Sequence, residues 1–476
     1  MQRAVCLIAL AISVGAWSFG SQERQQRLNV LFLVADDLNN DLGAYGAPVR
    51  TPNIDKLAAR GVRFDRIYTQ YPLCSPSRSS FLTGRRPNAT GVLTNPAPVK
   101  SPMSPHFREK LPDAVTLPQL FRNNGWIAAR VGKLYHYGVP LNIGTGGLDD
   151  YLSWDLTINP RGRDREAHDR IFSLRPGQFG ASLSWLADGG ADAEQTDGIA
   201  AAEAVKLLER FKRNNESFFL AVGFYRPHTP YVAPKRYFDM YPADRIPLPK
   251  LSDDDRARTP EAAYRTALTL KEQDAMTDAQ RRQAVQAYWA STTFMDAQVG
   301  HVLDALDRLG LARNTIVVFT SDHGYHLGDH GLWQKMSAFE RSARVPLVIA
   351  APSARKGASA RGLAELVDLY PTLAELAGIK VLPTLDGVSL VPMLRDPSAA
   401  VKDGAFTQVR NGYAIRTDRW RYVEWAEGKQ GSQLFDMNAD PGETTNLATD
   451  ARHADTVKEL SARLALYRGA PRPPSN

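Results

Sequence analysis

The segment Cys74-Ser75-Pro76-Ser77-Arg78 puts one thiol at what reads as a helix entry. Ser75 is suited to the N-cap, Pro76 to the first helical position, and Gly84 to a left-handed close at the far end. Cys74 would then stand at the positive end of a short helix, where free N–H groups and the macrodipole favour an anion. Arg78, one turn on, is placed to point back at the same spot. The plain alternative is a capped helix with a buried, inert thiol. The cysteine count bears on the choice. The chain has two cysteines, and Cys6 lies in an N-terminal stretch with the form of an export signal. An exported chain normally pairs its cysteines, so an unpaired Cys74 is either reactive or tolerated by burial.

Other chemistry-bearing residues stand at the ends of apolar runs. Asn29 to Ala35 is a continuous apolar stretch that ends in Asp36-Asp37, and Thr315 to Thr320 is a second that ends in Ser321-Asp322-His323-Gly324. Such runs fit strands buried on both faces of a parallel sheet, and ligands gather beyond the carboxyl ends of such strands. If the two strands are neighbours, three carboxylates converge. They cannot share a dry site without a cation, and oxygen-rich ligation suggests a hard ion, Ca²⁺ or Mg²⁺. Lys133 and His136 leave a third strand together. His228 follows Pro227 and precedes Pro230 on a stiff segment. His323, His326 and His330 have spacings that invite a zinc reading, but the glycines among them break the helix that would align them.

The stretch from Cys74 to Arg78, continued by Leu82-Thr83-Gly84-Arg85, resembles the signature of the formylglycine-dependent (type I) sulfatases, in which the cysteine of C-x-P-S-R is oxidised to formylglycine. Gly132-Lys133 with His136 is similar to the G-K-x-x-H element of that family, and Asp440 to Ala448 to its C-terminal D-P-x-x-x-x-N-L-A pattern. Within the family the likeness is to the iduronate-2-sulfatase branch, through Val131-Gly132-Lys133, through Tyr225-Arg226-Pro227-His228-Thr229-Pro230, and through Asp322-His323-Gly324 where many relatives have Asp-Asn-Gly. The resemblance implies an alkaline-phosphatase-like α/β sandwich with a large, mainly parallel central sheet flanked by helices. It also implies a smaller C-terminal subdomain with a short antiparallel sheet and a terminal helix. It implies a divalent cation held by Asp36, Asp37, Asp322, His323 and the modified Cys74, with Ca²⁺ first and Mg²⁺ as the alternative. An imidazole is a poorer ligand than an amide oxygen for a hard ion, so His323 rests most on the closer branch. Arg78, Lys133 and Lys335 would balance sulfate charge, His228 would protonate the leaving alcohol and His136 would act as base. The implied partners are a sulfated carbohydrate, expected to be a 2-O-sulfated uronic acid attacked from a chain end, and a formylglycine-generating maturation enzyme.

Strands and helices must alternate to position these groups. A helix is expected over 51–61 with a glycine stop, a strand over 62–68, a helix over 117–125 and a strand over 126–131. Residues 138–190 read as loops over the strand ends. An amphipathic helix at 197–213 precedes a strand at 218–224, a rim insertion spans 242–278, and a long helix runs over 284–309. A core strand at 345–349, a helix at 363–377, three short antiparallel strands between 412 and 437, and a last helix ending near Arg468 complete the chain. The loops, with Tyr325 and Trp333, are expected to set sugar preference. The expected division is a signal peptide at 1–22, a catalytic domain at 23–397 and a C-terminal subdomain at 398–476.

The 476 residues are 43% hydrophobic and 23% charged, with a net charge of +7. That is an ordinary globular composition. The basic residues are dispersed among acids and form no stripe, so nucleic acid is not an expected partner. Met1-Gln2-Arg3 and the apolar run after it have the form of a secretory signal, too short for a stable membrane anchor. Export to the periplasm or the exterior is the expectation. Two rival functions stay open here. One is a phosphatase or phosphodiesterase of the same superfamily, which would ordinarily present Ser or Thr in place of Cys74. The other is a sulfated-glycan-binding protein whose thiol stays unmodified.

Overall fold

The computed structural model describes residues 27–95, 106–250, 253–380 and 383–469. The expected signal at 1–22 lies outside them. Eight strands form one sheet: β1 (Asn29–Ala35), β2 (Val62–Tyr68), β3 (Ile127–Gly132), β4 (Leu156–Ile158), β5 (Phe218–Gly223), β6 (Thr315–Ser321), β7 (Arg344–Ala350) and β8 (Ala358–Glu365). Their spatial order is β8-β2-β7-β6-β1-β5-β3-β4. Every pairing is parallel except those of β7, which runs antiparallel to both β6 and β2.

β1 sits in the middle, and all seven of its residues are buried, as its unbroken apolar run requires. Its side chains alternate between two cores. Val30, Phe32 and Val34 pack with Phe81 of α2 (Cys74–Thr83), Phe121 of α3 (Leu117–Asn123) and Leu373 of a helix at Leu369–Leu376. Leu31, Leu33 and Ala35 pack with Leu57 of a helix at Pro52–Arg60, Leu208 of α4 (Thr196–Asn214) and Met295 of α5 (Asp278–Arg308). The sheet is therefore covered on both faces, and its edges and strand ends are where polar chemistry can gather.

The register fixes which ends meet. Ala35 pairs with Ser321, and Val34 with Gly223. Asp36-Asp37 and Asp322-His323 thus leave adjacent strands at the same level, as the sequence suggested. β3 ends beside β5 through a very close backbone approach. A Cβ on Gly132 (φ +75) would come within 2.2 Å of the Gly223 carbonyl oxygen. This closeness sets where Lys133 emerges, since its N–H donates to that carbonyl at 2.9 Å.

Several expectations are corrected. The stretch 138–190 is not loop throughout: it contains β4 and the strands Phe172–Ser173 and Ser184–Asp188, the second of which pairs with Tyr231–Pro234. Those strands are too short to show periodicity. The helix expected from 363 begins only at Leu369, because Leu363 to Glu365 finish β8 along β2. α5 starts at Asp278, earlier than expected, because Thr277 caps it with Gln280 in a reciprocal capping box. A four-stranded antiparallel sheet holds 405–409, 412–416, 420–425 and 432–436, the first of which the sequence pattern did not show. The helix Ala454–Gly469 packs on it through Leu460 and Leu464.

Gly132→Ala should be costly for two reasons, a left-handed backbone and a backbone clash. Urea unfolding is expected to show a loss of at least about 2 kcal/mol. Unchanged stability would contradict the close approach.

Candidate active site

α2 begins two residues earlier than the sequence suggested. Leu73, extended, is the N-cap, and the Ser77 N–H donates back to its carbonyl at 3.0 Å. Ser75 therefore does not cap; its own N–H goes to Asn95 Oδ1 at 2.9 Å. Pro76 becomes the third helical residue, where a missing N–H costs nothing because first-turn donors have no intrahelical partner. Gly84 closes the helix in the left-handed conformation as expected. Cys74 is thus the first residue of a wholly buried helix, at its positive end.

The sheet brings the other candidates to this point. Lys335 Nζ lies 3.2 Å and His323 Nε2 3.4 Å from Cys74 Sγ, and Asp37 Oδ1 lies 3.8 Å away. Burial alone would push the thiol up, but Lys335, Lys133 and His323 together hold it well below its ordinary value. Asp36 receives Lys133 Nζ at 2.5 Å and Arg78 Nη2 at 3.1 Å. Despite burial, Lys133 and then His228 and Arg78 hold its carboxyl below the usual range. Arg78 Nε reaches Asp322 Oδ2 at 2.9 Å, and the guanidinium also donates to the Lys133 and Leu134 carbonyls. Burial nevertheless pushes Asp322 upward.

Asp37 is the pivot. Its Oδ1 accepts from Lys335 Nζ at 2.5 Å and lies 3.3 Å from His323 Nε2. Its Oδ2 is buried with no hydrogen-bond partner among the described residues, 3.7 Å from His228 Nε2. Its backbone is left-handed (φ 64), and so are Gln334 (φ 68) and Met336 (φ 65), the two neighbours of Lys335. Such conformations in non-glycine residues persist only where the surroundings enforce them, and they concentrate at functional sites.

The histidines differ. His323 Nδ1 pairs with the Gly324 carbonyl at 2.9 Å, which turns Nε2 toward the carboxylates. Burial opposes its charge, yet Asp322 raises it to about 9. His228 Nδ1 lies 2.5 Å from the Thr229 carbonyl. His136 is pushed down by burial, and its side chain meets Cys74. His326 pairs instead with Ser337 Oγ, and His330 stacks on Phe339, so the three histidines of that stretch do not converge.

All ten candidate residues of the sequence analysis are thus gathered at one place. Two neighbours had been passed over: Ser77, whose hydroxyl donates to the Asp322 carbonyl, and Ser321, whose hydroxyl accepts from the Leu38 N–H. Ser77 lies within the same motif as Cys74, which was signal enough; Ser321 carried none. One expectation fails. Tyr325 is fully buried, with its hydroxyl 2.7 Å from that of Tyr231, and offers no ring to a sugar, whereas Trp333 lines a cavity with Pro249 and Arg256.

A hard cation fits this donor set. Asp37, Cys74, Asp322 and His323 each offer a ligand atom within 4.8 Å of the others, and so do Asp36, Asp37 and His228. The unpartnered Asp37 Oδ2 is the kind of buried oxygen a cation satisfies.

The family profile described as Sulfatase matches residues 28–379. The chain belongs to the sulfatase family. A second profile, N-sulphoglucosamine sulphohydrolase, C-terminal, matches residues 328–469. A sulfatase of Formosa agariphila is 33% identical, covering 93% of this chain and 87% of that one. The iduronate 2-sulfatase of Mus musculus is 31% identical over 91% and 93%, and the choline-sulfatase of Rhizobium meliloti 33% over 89% and 83%. Among solved structures, a 2-O GAG sulfatase superposes with a TM-score of 0.71 at 26% identity, covering 93% of this chain and 92% of that one. A phosphonate monoester hydrolase of Silicibacter pomeroyi (0.75, 23%, covering 93% and 95%) shares the fold. Sulfatases of this family work with a bound metal and a formylglycine. In this sulfatase the fold is the expected α/β sandwich, and no helix of the described residues is long and apolar enough to cross a membrane.

Arg78 bonds both Asp36 and Asp322. Arg78→Ala in metal-stripped protein is expected to cost about 3–5 kcal/mol in urea unfolding, because two carboxylates are left buried without it. A loss under about 1 kcal/mol would contradict the bridging role.

Proposed function

We propose that this sulfatase removes sulfate from a sulfated carbohydrate, acting from the chain end on a 2-O-sulfated uronic acid, with Cys74 matured to formylglycine and Ca²⁺ held by Asp36, Asp37, Asp322 and His323. The observation that carries this reading is the convergence of Asp37, Asp322 and His323 on Cys74, with Asp36 grouped beside Asp37, between Lys133 and Lys335. Three carboxylates there are paired with three basic side chains, Arg78, Lys133 and Lys335. A dication would leave an excess of positive charge, which suits a sulfate monoester and an ionised nucleophile.

When present, formylglycine supplies as its hydrate an oxygen nucleophile at position 74, and the cation supplies polarisation of a sulfate oxygen. The remaining work falls to side chains. Lys335, against both Asp37 and residue 74, stabilises charge that grows on the sulfate oxygens, and Lys133 does so from the other side. His228 has Nδ1 occupied by the Thr229 carbonyl, so Nε2 is the nitrogen that hands a proton to the leaving sugar alcohol. His136, which burial keeps neutral, faces residue 74 and takes the proton whose removal frees sulfate.

The substrate class rests on likeness. Iduronate 2-sulfatases and the 2-O GAG sulfatase resemble this chain over more than nine tenths of its length. The burial of Cys74 and Asp37 supports a terminal unit, since an inner residue of a polymer would have to bring both its neighbours in past the surrounding side chains. The N-terminal sequence supports export.

Defined sulfated mono- and disaccharides test the reading. Release of sulfate from terminal 2-O-sulfated uronic acid is expected, in preference to 6-O- or N-sulfated glucosamine. Activity confined to choline sulfate, or to none of the sugars after co-expression with a formylglycine-generating enzyme, would overturn it. Cys74→Ala is expected to lower kcat/KM by at least about 10⁴-fold, the scale of losing a nucleophile.

A further inference from the structure

Three segments that carry site residues run, within three residues, into one buried aromatic cluster. Asp37 leads to Asn39, His228 to Tyr231 and His323 to Tyr325. Tyr288, from the middle of α5, joins them. Its ring stacks on Tyr325 (centroids 5.2 Å apart, planes at 18°) and meets Tyr231 edge-on at 5.6 Å. Its hydroxyl donates to the Asp37 carbonyl at 2.7 Å and accepts from the Asn39 N–H at 2.9 Å. Asn39 Nδ2 in turn donates to the Tyr325 carbonyl at 3.0 Å.

One hydroxyl therefore spans the left-handed turn at Asp37 and satisfies both backbone groups that flank it. The Asp37 N–H is bound by Asp322 Oδ1 at 3.1 Å, so both ends of this strained residue are tied. Without the Tyr288 hydroxyl, the Asp37 carbonyl and the Asn39 N–H lose a buried partner, and the turn keeps only the bonds of the Asp37 N–H to Asp322 and of the Leu38 N–H to Ser321.

We infer that Tyr288 is a positioning residue for the cation site, holding Asp37 in the left-handed conformation that aims its carboxylate at the ion. This rests on the reading above that Asp37 is a cation ligand. Tyr288 meets the turn through the Asp37 carbonyl and the Asn39 N–H and acts through that backbone. Partners of this outer kind alter metal affinity by about 10–100-fold when removed.

The test is Ca²⁺ binding to the metal-stripped, full-length protein, measured by competition with a fluorescent chelator. Tyr288→Phe, which keeps the ring, is expected to weaken Ca²⁺ binding about tenfold, with kcat restored to within about twofold at saturating Ca²⁺. Tyr325→Phe, which loses a hydroxyl bonded to Tyr231 and not to Asp37, is expected to leave Ca²⁺ affinity unchanged. If metal-free Tyr288→Phe does not fold, the rate of Ca²⁺ release on mixing the loaded protein with a chelator replaces the equilibrium measurement, and release about tenfold faster is expected. Affinity or release equal to wild type would overturn the inference while leaving the proposed function intact. A wild-type protein that binds no Ca²⁺ would remove the proposed cation, and this inference with it.

Discussion

Like charges packed out of water set the terms for this molecule. Asp36, Asp37 and Asp322 are all fully buried within one small volume, which is untenable unless each is met by positive charge. Arg78 meets two of them, Lys133 one and Lys335 one. Much else in the fold serves that arrangement. Adjacent parallel strands deliver the acids at one level, α2 supplies Arg78 one turn beyond Cys74, and the close approach of Gly132 to Gly223 sets where Lys133 emerges.

The same arrangement explains why the site tolerates strain. Asp37, Gln334 and Met336 all take left-handed backbone conformations that cost each of them about 1–3 kcal/mol. The conformations turn consecutive side chains in directions a regular strand end would not allow. At Asp37 the carboxylate reaches Lys335 and His323 while the backbone is pinned from Asp322 and Tyr288. At Lys335 they let an ammonium group come back to both Asp37 and Cys74. The strained residues lie where the chain carries its charged chemistry, beside Leu38 in the core of one sheet face and with Met336 packed against Leu73 and Phe339.

Much of the site was legible because its members sit at the ends of long apolar runs or inside a compact motif. Asp36-Asp37 and Asp322-His323 were marked by the strands before them, and Cys74 to Arg78 by their own spacing. What sequence could not show was anything that depends on a second segment. Ser75 looks like a cap, but Leu73 is one because Asn95 takes the Ser75 N–H. Tyr325, next to the acids, looked like a sugar contact, but its ring is stacked on Tyr288 from α5. β4 and the strand at 405–409 are short and only make sense beside their partners. The start of β7 at Arg344 and its antiparallel direction follow from the sheet order, which no local pattern encodes.

The central claim is that residue 74 works as an aldehyde set beside a cation among buried carboxylates, and it is tested most directly by the mass of the peptide carrying that residue. In purified enzyme active on a sulfated sugar, the account predicts a spectrum in which the thiol has been replaced by formylglycine. An active enzyme whose residue 74 is entirely unmodified cysteine would contradict it.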